Sequence, residues 1–213
     1  MQICCTFYQL VFSTSHHAVD SFSGLPAEAS GIRLEGPHWK PGGFSAADAL
    51  KEYSLPALLA KLKEYINHSN VTLIPGYFNH SLTPGLRQQF PFRPALLVDI
   101  DVDLYSSSIQ CLSWLFEQRI LRAGSFVRYD DWRQIGQLHG EARAHKEASL
   151  RYNVTWRNLG GGYEKGVLGL NSREWQVVSV GSPHGVPWDK RKLERAMRAV
   201  QSPEGMWRSF VRP

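Results

Sequence analysis

The clearest hydrophobic pattern lies at 95–105. Ala95-Leu96-Leu97-Val98 is an unbroken apolar run, and acids then alternate with apolar residues at Asp99, Asp101 and Asp103. The pattern reads as a strand buried on both faces whose carboxyl end carries acids. Ligands of open α/β sheets bind at that end of the strands. Ser125-Phe126-Val127-Arg128-Tyr129 followed by Asp130-Asp131 repeats the design. Between the two, residues 106–121 place Ile109, Leu112, Leu115 and Phe116 at helical spacing, and Ala123-Gly124 closes the segment. The unit is β-α-β, with the right-handed crossover such units adopt.

The flanking chain continues the alternation of strand and helix. Ile3 to Phe12 is apolar and reads as a strand or the tail of a helix, and Ala18-Val19-Asp20 ends a strand at a turn with Gly24 and Pro26. Residues 27–48 form a long loop rich in Gly and Pro, anchored by Trp39 and Phe44; loops of this length are commonly functional lids. Residues 46–65 are helical in spacing, interrupted or started by Pro56. Val71-Thr72-Leu73-Ile74 is a short strand followed by a loop at 77–82. Residues 140–151 form a helix, 154–156 and 175–180 are late strands separated by a Gly160-Gly161-Gly162 turn, and 189–200 is a basic helix capped by Asp189. The expected organisation is an α/β domain over 1–181 and a basic helical extension over 182–213.

Composition narrows the function classes. The net charge is +5, and residues 182–213 hold seven Lys/Arg against three Asp/Glu, so the rest of the chain is nearly neutral. A body so balanced is not built to bind nucleic acid or another polyanion. Three cysteines, Cys4, Cys5 and Cys111, make neither a disulfide framework nor a zinc signature. No apolar run reaches the length of a membrane span. Ile3 to Phe12 lacks the basic flank and cleavage site of a signal peptide, which favours the cytoplasm or an organelle interior. The Asn-x-Ser/Thr triplets at Asn67, Asn70, Asn79 and Asn153 matter only in a secreted chain.

The candidate chemistry is acidic. Carboxylates gathered at strand ends repel unless a cation or proton neutralises them. Asp101, Asp130 and Asp131 offer hard oxygen donors with no nearby Cys, a set that suits Mg²⁺, Mn²⁺ or Ca²⁺ better than zinc. The alternative is structural: helix caps, and ion pairs with Arg128, Arg133 or Arg143. Asp99 and Asp103 share the side-chain parity of Asp101, so spacing does not choose among the three, and Asp103 also fits a helix N-cap. His139 and His145 are candidate bases, although single histidines on a polar segment are more often structural. Asp20 by itself reads as a turn acid.

At these residues the sequence resembles the macrocin O-methyltransferase-like family of class I S-adenosylmethionine-dependent methyltransferases. Asp20-Ser21-Phe22-Ser23-Gly24-Leu25-Pro26 is similar to the family's D-S-F-x-G-L-P, and Trp39 with Gly42 to Ser45 to its W-x-x-G-x-F-S. Gly76-Tyr77-Phe78 with Ser81 to Pro84 approximates G-x-F-x-x-T-L-P. Val98 to Ser107 is close to h-I-D-x-D-L-Y-x-S-T, and residues 140–147 are similar to a later helix. The resemblance implies a Rossmann-like sheet with helices on both faces. It implies Asp101, Asp130 and Asp131 as ligands of Mg²⁺ or another divalent cation, Asp101 also as general base, and Asp20, Ser21 and Phe22 as binders of the S-adenosylmethionine cofactor. The implied substrate is a hydroxyl of a sugar or another hydroxylated small molecule.

The sequence departs from the family's pattern before Asp20. No glycine-rich donor turn precedes Gly24, and five residues between Phe12 and Ala18 are too few for a parallel crossover. The expectation is therefore a sheet lacking the family's first strand and its helix, as in a chain shortened at its N-terminus. The acidic pair also comes two residues late, and position 128 is Arg where an apolar residue is usual. Two other functions stay open: a non-catalytic methyltransferase relic or interaction domain, and, more distantly, a glycosyltransferase using Asp101-Val102-Asp103 as its D-x-D.

Overall fold

The computed structural model describes residues 5–9, 15–28, 39–90, 92–132, 139–160 and 173–181. The basic helix expected at 189–200, the extension that holds it and the Gly161-Gly162 turn lie outside the described residues. Seven strands form one sheet in the order β3-β2-β1-β4-β5-β7-β6. In chain order these are β1 (Cys5–Gln9) and β2 (Ser15–Asp20), then helices α1 (Ala46–Leu50) and α2 (Leu55–Ile66). Next come β3 (Val71–Pro75), the one-turn helices α3 (Phe78–Ser81) and α4 (Leu86–Gln89), β4 (Leu97–Ile100) and α5 (Tyr105–Glu117). The chain continues through β5 (Phe126–Tyr129), α6 (Gly140–Arg151), β6 (Val154–Gly160) and β7 (Glu174–Val180). The architecture is the expected mixed α/β sheet.

Alternation along the strands divides the core between the two faces of the sheet. Ala18 on β2 and Leu73 on β3 join Phe22, Leu58 and Leu62 in the smaller cluster under α1 and α2. Their neighbours Val19 and Ile74 point the other way, into the larger cluster with Val98, Ile100, Leu112, Leu115 and Val127. α5 and α6 pack on each other over that larger cluster. Helices therefore cover both faces. Pro56 begins α2 rather than breaking it, because the first turn needs no amide from that residue. The loop expected at 77–82 contains α3, closed by bonds from Ser81 and Leu82 amides back to Tyr77 and Phe78 carbonyls.

The N-terminal strand is the main surprise. No parallel strand precedes β2 among the described residues, as the short connection implied. The position between β2 and β4 is nevertheless filled, because β1 pairs antiparallel with both. A link of five residues, 10–14, can close an antiparallel hairpin but cannot cross over a sheet. The sheet thus stays continuous across its middle, and edge exposure is avoided. β4 and β5 remain parallel and in register, Ile100 opposite Tyr129.

Candidate functional site

The ends of β4 and β5 bring Asp101, Asp130 and Asp131 together. One carboxylate oxygen from each lies within 4.8 Å of the others. The three acids are thus close enough to share one ion. Their surroundings distinguish them. Asp130 is paired with the Arg173 guanidinium at 3.0 Å. Asp131 is buried, and its Oδ2 has no hydrogen-bond partner. Burial raises the Asp131 carboxyl to about 7, helped by the charge of Asp103, a hydrogen bond with Asp103 and the charge of Asp130. An orphaned, buried oxygen in a group of hard donors fits a divalent cation.

The other two acids of the opening pattern part company. Asp99 sits opposite Arg128 in the ladder and accepts its Nε at 2.8 Å, with a second contact from Nη2. That pairing takes Asp99 out of the cluster and explains Arg128, which is exposed on the sheet face. Asp103 is not the cap of α5: Leu104 is, without a side-chain bond, while Asp103 adopts φ +56°. Instead Asp103 is buried against Asp131, and Trp39 donates its indole N–H to it at 3.3 Å. Burial pushes its carboxyl up, and the hydrogen bonds from Asp131 and Trp39 only partly offset this.

Glu141 is the residue that spacing did not single out. It is completely buried (0% exposed) in the first turn of α6. Oε1 accepts the Val102 amide at 3.1 Å and Oε2 the Asp131 amide at 2.9 Å. Burial and the Asp131 charge push this carboxyl well above its ordinary range, against the pull of the two amides. Close by in the fold, Tyr105 donates to Glu147 at 2.5 Å and the Arg143 guanidinium lies 4.5 Å over the Tyr105 ring.

Neither candidate histidine is placed as a base. His145 is buried among Trp132, Trp156 and Trp175, with the Tyr129 hydroxyl 3.0 Å from Nδ1. Burial depresses it to about 3, so it is a neutral packing group. His139 is the N-cap residue of α6 and makes no side-chain cap bond.

A cavity of about 250 Å³ opens between the ends of β2, β3 and β4, with Asp20, Ser21, Tyr77, Phe78, Val102 and Ser106 among its lining. Val102 connects it to the acids, since it stands between Asp101 and Asp103. Asp20 is buried at the end of β2 and its Oδ1 accepts the Phe22 amide at 2.5 Å. Phe22 adopts φ +56° and packs in the smaller core rather than lining the cavity. Gly24, at φ +89°, lies so close to Gly42 and Gly43 that a Cβ would be 2.5 Å from their carbonyl oxygens. The Leu25 amide bonds Gly43 and the Gly42 amide bonds Leu25, so the 20–26 and 39–45 segments are laced together. β1 begins opposite Ile100 and runs away from this edge, and the described lining comes from the end of β2, the turn that follows it, α3, Val102 and the first turns of α5.

No family model matches the chain, and no curated protein matches it either. Among solved structures it is similar to one described as the O-methyltransferase NovP, with TM-score 0.47 and 18% identity. That similarity covers 75% of this chain and 58% of the other. The chain therefore spans less than two thirds of that protein's length. Among the described residues, no helix is long and apolar enough to cross a membrane.

Proposed function

We propose that the chain is a divalent-metal-assisted, S-adenosylmethionine-dependent O-methyltransferase acting on a hydroxyl of a sugar or another small molecule. The observation that carries this reading is the gathering of Asp101, Asp130 and Asp131 next to a cavity that contains Asp20. The sequence resemblance supports it, since its motifs fall on both places. Asp101, Asp130 and Asp131 would hold Mg²⁺ or Mn²⁺, which when bound would lower the pKa of the acceptor hydroxyl. Asp101 takes the acceptor's hydroxyl proton on a carboxylate oxygen. Asp20 would hold the ribose hydroxyls of the methyl donor, because a carboxylate accepts from both. Phe78 and Val102, in the cavity lining, would shield the donor from water.

Calorimetric titration with S-adenosylmethionine, with and without Mg²⁺, tests the reading. Donor binding that strengthens with Mg²⁺ supports it; absence of donor binding under both conditions removes it. The reversed β1 favours a second reading, a folded domain without catalysis, because that strand begins rather than ends opposite Ile100. That reading expects no donor binding and an unaltered fold in Asp101→Asn.

A further inference from the structure

The ladder between β4 and β5 ends with the Asp130 amide donating to the Ile100 carbonyl at 3.0 Å. Beyond this rung, two buried donors are left at the strand ends, the Val102 and Asp131 amides. They cannot pair with each other, because both are N–H groups. A buried amide without an acceptor is costly. One side chain solves both problems: Glu141, with an oxygen on each amide, 39 and 10 positions away in the chain. The two oxygens of a carboxyl group are fixed relative to each other by one carbon, so the two amides are held at one separation.

We propose that Glu141 is a positioning residue that clamps the ends of β4 and β5, and thereby fixes Asp101 relative to Asp130 and Asp131. The inference rests on the metal-assisted reading of those three acids for its functional meaning. Val102 follows Asp101 directly, and the clamped amide of Asp131 belongs to a ligand itself, so little backbone freedom remains between clamp and donors. The clamp has a rigid base. Glu141 lies in the first turn of a twelve-residue helix, where the helix end favours negative charge. α6 in turn packs along α5, the helix that follows the first acidic strand end. The donor set is thus assembled before an ion arrives, which lowers the ordering cost of binding. Outer partners of this kind typically carry about 10–100-fold of metal affinity.

The test uses the full chain and Mn²⁺ alone, followed by electron paramagnetic resonance, together with amide hydrogen exchange in the absence of metal. Glu141→Gln keeps the shape but turns an N–H group toward one of the two amides. Exchange at Val102 or Asp131 is expected to speed up, and Mn²⁺ affinity to fall by about 10–100-fold. Glu147→Gln, also buried on α6 but bonded to the Tyr105 hydroxyl, is the control and leaves both readings at the native level. Native protection and native affinity in Glu141→Gln, or losses equal to those in Glu147→Gln, overturn the proposal. If the native chain binds no Mn²⁺, the metal reading alone falls, and hydrogen exchange still decides for or against the clamp. Should Glu141→Gln not fold, Glu141→Asp keeps the carboxyl group, withdraws it by one methylene and is scored in the same way.

Discussion

The two halves of the site are held by different means. At the ends of β4 and β5 the acids are fixed from far away in the chain: Glu141 on the amides, Arg173 on Asp130 and Trp39 on Asp103. At the end of β2, Asp20 is fixed by its own turn, through the Phe22 amide two residues on. The first half is held by side chains from distant segments, while the second combines a bond within the turn with the backbone lacing of 20–26 to 39–45. The first also concentrates unfavourable charge, since Asp103 and Asp131 are buried together. The second carries one acid beside an open cavity. The difference teaches where sensitivity should lie under the proposed function: the acid cluster should answer to cations and distant substitutions, the Asp20 turn to the donor.

The largest effect is expected from the ligands themselves. Asp101→Asn should reduce methyl transfer by roughly 10²–10⁴-fold, the usual contribution of a positioned base, and abolish Mn²⁺ binding. Calorimetry and a donor-consumption assay check both. A Mn²⁺ affinity unchanged in this variant would break the comparison at its stronger half.

Next comes the core. Leu62 is fully buried in the smaller cluster beneath α2, so Leu62→Ala should cost about 2–5 kcal/mol in urea unfolding. The acids stand over the other core, so folded Leu62→Ala should keep native Mn²⁺ affinity. Asp20→Asn should weaken donor binding by roughly tenfold, the scale of one charged hydrogen bond, with Mn²⁺ affinity intact. Loss of Mn²⁺ binding in either variant would mean that the halves are not separable.

A pH series sharpens the contrast further. The Asp131 carboxyl is raised to about 7 in the folded protein, above its value in the unfolded chain. The folded state therefore holds a proton that the unfolded state loses first, and stability falls as pH rises from about 4 to about 7. Thermal unfolding of the metal-free chain should show this decline, and Mg²⁺ should flatten it. The smallest effect belongs to Arg128→Ala. The guanidinium is more than half exposed, and such pairs contribute roughly 0–1 kcal/mol.

Much of this was legible in the chain. The run from Ala95 into alternating acids marks β4 because an unbroken apolar stretch suits a strand covered on both faces. The spacing of Leu112, Leu115 and Phe116 marks α5, and residues 140–151 form α6 over the expected span. The short link before Ala18 ruled out a parallel crossover, and β1 pairs antiparallel with β2. The rest was hidden by distance. Parity left Asp99, Asp101 and Asp103 equivalent; Arg128, 29 positions away, withdraws Asp99, while Asp131 takes up Asp103. His145 was a candidate base that could equally be structural, since nothing local announces the three tryptophans that enclose it.

By itself, then, the sequence determined the alternating elements, the two acid-bearing strand ends and the turn at Asp20, because periodicity and turn chemistry act over a few residues. Only the tertiary structure decided which acids meet, which way the central strand runs and what closes the ladder. Those outcomes depend on partners tens of residues apart: β1 slots between β2 and β4, and Glu141 reaches two amides on separate strands. A buried donor must find an acceptor wherever the fold brings one, and no local pattern records where that is.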